Sequence, residues 1–269
     1  MQRLLFLLIA LLLGPALPAS ADPMVGLSKQ ERADTLRFAI NNSLFTLYHE
    51  VGHLLIDKMK LPLLGREEDA ADNIATWILL QKGTPEANQA LEDAAEGWMM
   101  TGMLYGDTYD DDDYSAGYTP DRHRSMQIVC MMVGADGSAF RRVANSFSMA
   151  ADRQRSCHFD YEVIDRSISS LLENPGTGTR VDVRYDDSGW RLKLAERVLR
   201  SSGIFDDVAE EVRRGYKLSG RVKFTAQRCG EPNAFYDPET TEVIFCYELV
   251  QDFLDMYVDE LPARHGRPD

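Results

Sequence analysis

Basic side chains are in short supply in this chain. Its 29 Lys and Arg stand against 43 Asp and Glu, a formal charge of -14 over 269 residues. Such a chain has no electrostatic grip on a phosphate backbone and is repelled by anionic membrane surfaces, so nucleic acid is excluded as a partner class. Long apolar runs are also missing. The longest, Leu4 to Leu13, is too short to span a bilayer as a stable helix, and no later segment approaches that length. Cysteine is limited to Cys130, Cys157, Cys229 and Cys246, with no C-x-x-C pair, which argues against a thiolate zinc knuckle. Histidine is scarcer than its usual surface role would need, with five in the chain, and no segment repeats.

The apolar run follows Arg3 and precedes the small residues Ala19-Ser20-Ala21, which fit the A-x-A cleavage rule. Residues 1–21 are therefore expected to be a signal peptide, and the mature chain to be exported, periplasmic or secreted. An even cysteine count in an exported protein favours disulfides, and sequence proximity favours Cys130 with Cys157 and Cys229 with Cys246.

The remaining chain divides by pattern. Ser28 and Glu31 form a capping box that opens a helix, and the apolar stripe of Leu36, Phe38, Leu44, Leu47, Val51 and Leu54 carries it to about Met59. A second helix is expected from about Arg66 to Gln81, ended by Gly83, and a third from Thr84-Pro85 to about Gly106. Trp77, Trp98 and Met99 fall at helical core positions. Asp110 to Asp113 lack EF-hand spacing and read as a solvated acidic loop rather than a calcium site. A fourth helix from about Asp121 carries Cys130, and "ENPGTGT" marks the best internal boundary.

Beyond that boundary "RVDVRY" alternates as a strand, two helices follow, and "RVKFTAQRC" and "TEVIFCYEL" read as strands joined through "GEPNAFYDPET". A last helix covers about Leu249 to Leu261, followed by a frayed tail. The expected fold is α+β, predominantly helical with a small β-sheet or hairpin. Residues 22–172 are expected to form a helical region, and residues 180–262 an α+β region with a disulfide-tied hairpin packed on the first.

The chemistry concentrates in "FTLYHEVGHLLIDKMKLPLLGREEDAADNIATWILL". His49 and His53 lie four apart, one turn on and displaced by about 40°, so both imidazoles can reach one ion. Glu50 projects beside them, where a carboxylate meets a water rather than the metal. Two of five histidines at this spacing around a Glu are improbable by accident. Zn²⁺ needs a third protein ligand, and "GREEDAAD" supplies carboxylates. Glu68 and Asp72 share a face, so Glu68 is favoured as the ligand and Asp72 as the group that fixes a histidine tautomer. Glu67 instead shares its stripe with Ala71, Ile74 and Ile78, the expected packing face.

The pattern H-E-x-x-H followed by E-x-x-A-D (Glu68 to Asp72) resembles the gluzincin metallopeptidases. That resemblance implies a zincin-like domain with zinc on His49, His53 and Glu68, Glu50 as the water-activating base, and a peptide or protein as substrate; residues 22–172 would hold the zinc site and form one catalytic unit with residues 180–262. Together with "QIVCMMVGAD" and "CGEPNAFYDPETTEVIFCYEL", the zinc segment is similar to a bacterial family of exported metallopeptidases. "NAFYDPETTEVIF" is similar to the strand that precedes the zinc helix in some gluzincins and flanks the substrate there. Here it follows the helix, so Asn233, Phe235 and Tyr236 either line a permuted cleft or belong to a hairpin with no part in it. Tyr118, Tyr114 and His123 are candidates for oxyanion stabilisation. Two rival readings are a non-catalytic zinc-binding or structural protein and a metallohydrolase of non-peptide substrates.

Overall fold

The computed structural model describes residues 22–104, 119–172 and 176–265. The expected leader, the acidic loop with Tyr114 and Tyr118, and the last four residues lie outside them. The helical part comprises α1 (Lys29–Met59), α2 (Glu67–Lys82), α3 (Pro85–Leu104), α4 (Asp121–Ala135), α5 (Arg141–Ser146) and α6 (Ala151–Leu171). It is followed by β1 (Arg180–Tyr185), α7 (Lys193–Ser202), α8 (Ile204–Gly215), β2 (Arg221–Gln227), β3 (Ala234–Asp237), β4 (Glu242–Cys246) and α9 (Tyr247–His265). The fold is predominantly helical α+β, as the sequence pattern predicts. No helix among the described residues is long and apolar enough to cross a membrane.

α1 is the axis of the structure. It opens on the Ser28–Glu31 capping box, with Ser28 Oγ accepting from the Glu31 N–H at 3.2 Å and Glu31 accepting from the Ser28 N–H at 2.6 Å. It closes at Lys60 in the left-handed conformation, φ 54°. It has helices on one side and the sheet on another, so Phe38, Phe45, Leu47, Leu54 and Leu55 are all buried despite pointing in different directions.

α2 crosses α1 very closely. A Cβ placed on Gly52 would sit 2.9 Å from the Cα of Ala71, so only glycine opposite alanine permits this approach. The missing methyl brings the first turn of α2 over the middle of α1. α4 and α6 are joined by the Cys130–Cys157 disulfide, and Gly134 lets the two backbones meet one turn beyond it.

The sheet has the order β1-β2-β4-β3. β1 and β2 are parallel, β2 and β4 are parallel, and β3 runs antiparallel to β4 at the edge. The two strands read from the sequence as arms of a hairpin are therefore parallel neighbours. The hairpin is β3–β4, because Ala234–Asp237, inside the segment read as a connection, is itself a strand that carries the chain back. Alternation makes Val222, Phe224 and Ala226 of β2 face the core with Val243 and Phe245 of β4, and Phe205 of α8 packs edge-on to Phe224. The Cys229–Cys246 disulfide ties the loop that leaves β2 to the end of β4.

α9 extends past the expected end at Leu261. Pro262 lies inside its last turns, and Arg264 bonds Glu96 at 2.8 Å with its guanidinium over the Tyr257 ring. These contacts hold as helix a segment that reads from the sequence as a tail.

Candidate metal centre

The four-residue spacing on α1 places the two imidazoles side by side, with His49 Nε2 and His53 Nε2 3.1 Å apart. The α1–α2 crossing brings Glu68 above them, one oxygen 3.2 Å from His49 Nε2 and the other 3.6 Å from His53 Nε2. His49, His53 and Glu68 are the one group of three or more metal-binding side chains that converges among the described residues. Ligands about 2.0–2.1 Å from a tetrahedral zinc lie roughly 3.3 Å from one another, close to the separations between the two Nε2 atoms and the Glu68 oxygens.

Each ring is oriented from behind. His49 Nδ1 lies 2.8 Å from Asp72, to which it can donate. His53 Nδ1–H donates to Glu67 at 2.9 Å. Glu67 is thus not on the packing face assigned to it: it is the first residue of α2, half-exposed, and reaches past the crossing to the second imidazole. With each Nδ1 against a carboxylate, both Nε2 atoms face Glu68, and loss of the Nε2 protons would free both lone pairs for one ion.

Arg124, on the first turn of α4, completes the support. Its Nε and a terminal N–H grip the two oxygens of Asp72 at 2.6 and 2.7 Å, and its guanidinium stacks 3.5 Å over the Trp98 ring. Trp98, expected in the core, is this stacking platform and lines the cavity beside the cluster. Burial alone would raise the Asp72 pKa, but the charge and hydrogen bonds of Arg124, with His49, hold it below the ordinary value. Burial works against a charged His49, yet Asp72 and Glu68 raise its pKa to about 9. Glu68 is held low by the hydrogen bonds from His49 and His53.

Glu50 is buried and stands outside the ligand cluster. Burial raises its pKa, opposed by His49, His53 and a hydrogen bond from the Tyr236 backbone N–H. That contact comes from β3. Asn233, Phe235 and Tyr236 line the same cavity, of about 1040 Å³, as His49, Glu50 and Glu68. Tyr236 also ties its hydroxyl to Asp57 of α1 at 2.7 Å. His123 is exposed on α4 and is not among the lining residues; its neighbour Arg124 is. Sequence reasoning misses Arg124 because its partner is 52 positions away, and misses Gly52 because its role is to lack a side chain.

The geometry amounts to three convergent donors, an adjacent buried carboxylate and a large cavity beside an edge strand. Neither a curated protein nor a solved structure matches the chain. The chain does match, over residues 19–172 and 187–265, the model of the family DUF4344, described as "Putative metallopeptidase", and with most of its length covered it belongs to that metallopeptidase family.

Proposed function

We propose that the chain is a zinc-dependent peptidase of the gluzincin kind, with His49, His53 and Glu68 as the metal ligands. The observation that supports this reading is the convergence of two Nε2 atoms, 3.1 Å apart, on the two oxygens of Glu68 at 3.2 and 3.6 Å, with both imidazoles fixed by carboxylates. Bound zinc would supply a Lewis acid for a water and for the substrate carbonyl. Glu50 accepts the water proton as the carbonyl is attacked and returns it to the leaving amine. Its raised pKa and its anchor on the Tyr236 N–H suit a base that must both take and give a proton. Asp72, held by Arg124, keeps His49 in the tautomer that offers Nε2.

β3 provides the rail for an extended substrate. The Cys246 N–H bonds the Asn233 carbonyl, so Asn233, Phe235 and Asp237 face β4 while Ala234 and Tyr236 turn their backbone groups outward. The Ala234 N–H is taken by Asn233 Oδ1 and the Tyr236 N–H by Glu50. The outward carbonyls of Ala234 and Tyr236 are left to accept from a peptide backbone. The two disulfides and the leader-like residues 1–21 support export.

A closed structural zinc site uses four protein ligands. Three ligands beside a cavity of this size favour catalysis over storage. Purified mature protein should carry about one zinc per chain. Glu68→Gln should lose the metal together with peptide hydrolysis, whereas Glu50→Gln should retain the metal and lose hydrolysis. If Glu67→Gln empties the site and Glu68→Gln does not, the third ligand is misassigned. Chelator-resistant peptide cleavage would overturn the mechanism.

A further inference from the structure

The cavity beside the metal cluster is lined by five carboxylates, and four of them are committed. Glu67 and Glu68 engage the histidines, Glu50 takes the Tyr236 N–H, and Asp57 holds Tyr236, Lys58 and Lys60. The fifth, Asp252 on α9, has no hydrogen bond or ion pair among the described residues, and it is half-buried. Burial, with Asp255 nearby, raises its pKa, the signature of a carboxylate that no cation faces. The one arginine on the cavity wall, Arg124, has its hydrogen bonds spent on Asp72 and its face on Trp98.

Apolar surface surrounds Asp252. Leu249, Phe253 and Met256 fall on its face of α9 at helical spacing and line the cavity with it, as does Phe45 of α1. Met256 and Tyr257 pack on Phe38 near the start of α1, so α9 lies along the N-terminal half of that helix. Asp252 thus lines the cavity from α9, as Phe45 and Thr46 do from α1 about one turn before His49.

We propose that this wall of the cavity is a specificity subsite for a lysine or arginine side chain next to the scissile bond, with Asp252 as its determinant. The aliphatic stem of the basic residue lies on Phe45, Phe253 and Met256, and its charged head meets the unpartnered carboxylate. Among the described residues of this wall, no cation is free to meet an acidic substrate side chain. The inference rests on the peptidase reading, since it names that enzyme's substrate class.

The test uses zinc-loaded mature protein and matched peptides that carry lysine, norleucine or glutamate in otherwise constant neutral sequences. Wild type should cleave the lysine peptides over the norleucine peptides by roughly 10- to 100-fold in kcat/KM, the range of a charge-assisted hydrogen bond. Asp252→Asn should collapse that ratio, and Asp252→Lys should invert it in favour of glutamate, a gain that misfolding cannot produce. Binding is read separately by fluorescence anisotropy of the same peptides on Glu50→Gln and on Glu50→Gln/Asp252→Asn. Cleavage without a basic preference, or a preference that survives both Asp252 substitutions, would overturn the subsite and leave the peptidase reading standing. No cleavage by wild type, with lysine-selective binding that depends on Asp252, would overturn the peptidase reading and keep the subsite.

Discussion

His49 and His53 are chemically identical and one helical turn apart, yet their surroundings differ sharply. His49 is buried, and its Nδ1 partner Asp72 is buried with it and clamped by Arg124. His53 is supported by Glu67, whose side chain is 53% exposed and which no other described side chain grips. One half of the candidate centre is fixed by a chain of charges that runs from His49 through Asp72 to Arg124 on α4. The other half is supported from the solvent rim. A carboxylate behind an imidazole is a single design element, but its energetic weight depends on whether water can replace it.

That contrast predicts unequal costs. Asp72→Asn should be the most damaging support mutation, because it leaves Arg124 buried without its counter-charge. About 3–5 kcal/mol of stability should be lost in urea unfolding, and metal affinity should fall about 10- to 100-fold in a competition titration. A loss below about 1 kcal/mol would show that the buried chain is not what holds His49. Arg124→Lys keeps the charge but loses the two-pronged grip and the stacking on Trp98, so a smaller loss of about 1–2 kcal/mol is expected. Glu67→Gln should change stability by no more than about 0.5 kcal/mol and metal affinity by about tenfold or less. Raising salt should erode the Glu67 contribution and leave that of Asp72 intact.

The smallest effect concerns the tie between β3 and α1. Burial alone would raise the Asp57 pKa, but Tyr236, Lys60 and Lys58 outweigh it and hold it at about 2, below its ordinary 3.8. A depressed carboxylate contributes stability that is present above its unfolded pKa and is lost as pH falls through its folded one. The Asp57–Tyr236 tie should therefore weaken between about pH 4 and pH 2. Tyr236→Phe should reduce that acid-dependent loss when unfolding is followed across the window.

Much of the candidate centre is legible in the sequence because its logic is local. His49, Glu50 and His53 share one helix, and Glu68 and Asp72 share the next, so helical geometry alone puts them in register. Glu67 misleads because a helical wheel assumes neighbours along the whole face, and at the first residue of α2 that face is already beyond the crossing. Arg124 and Asp252 reach the cavity only through tertiary packing, and no spacing announces them. The direction of β2 and β4 is hidden for another reason. Alternation reports which side of a strand is buried, not which way its neighbour runs, and the Gly, Pro and Asn around Ala234–Asp237 disguise a strand as a turn.

The Gly52–Ala71 crossing has a further consequence. It works as a gauge block, setting the gap between the helix that carries His49 and His53 and the helix that carries Glu68. Neither residue touches the cluster, yet together they set how closely Glu68 approaches the two imidazoles. A methyl at position 52 would meet the Ala71 backbone at 2.9 Å, and backbone does not yield as a flexible side chain does. Thickening the spacer by one carbon would therefore displace Glu68 from His49 and His53 while leaving all three in the sequence.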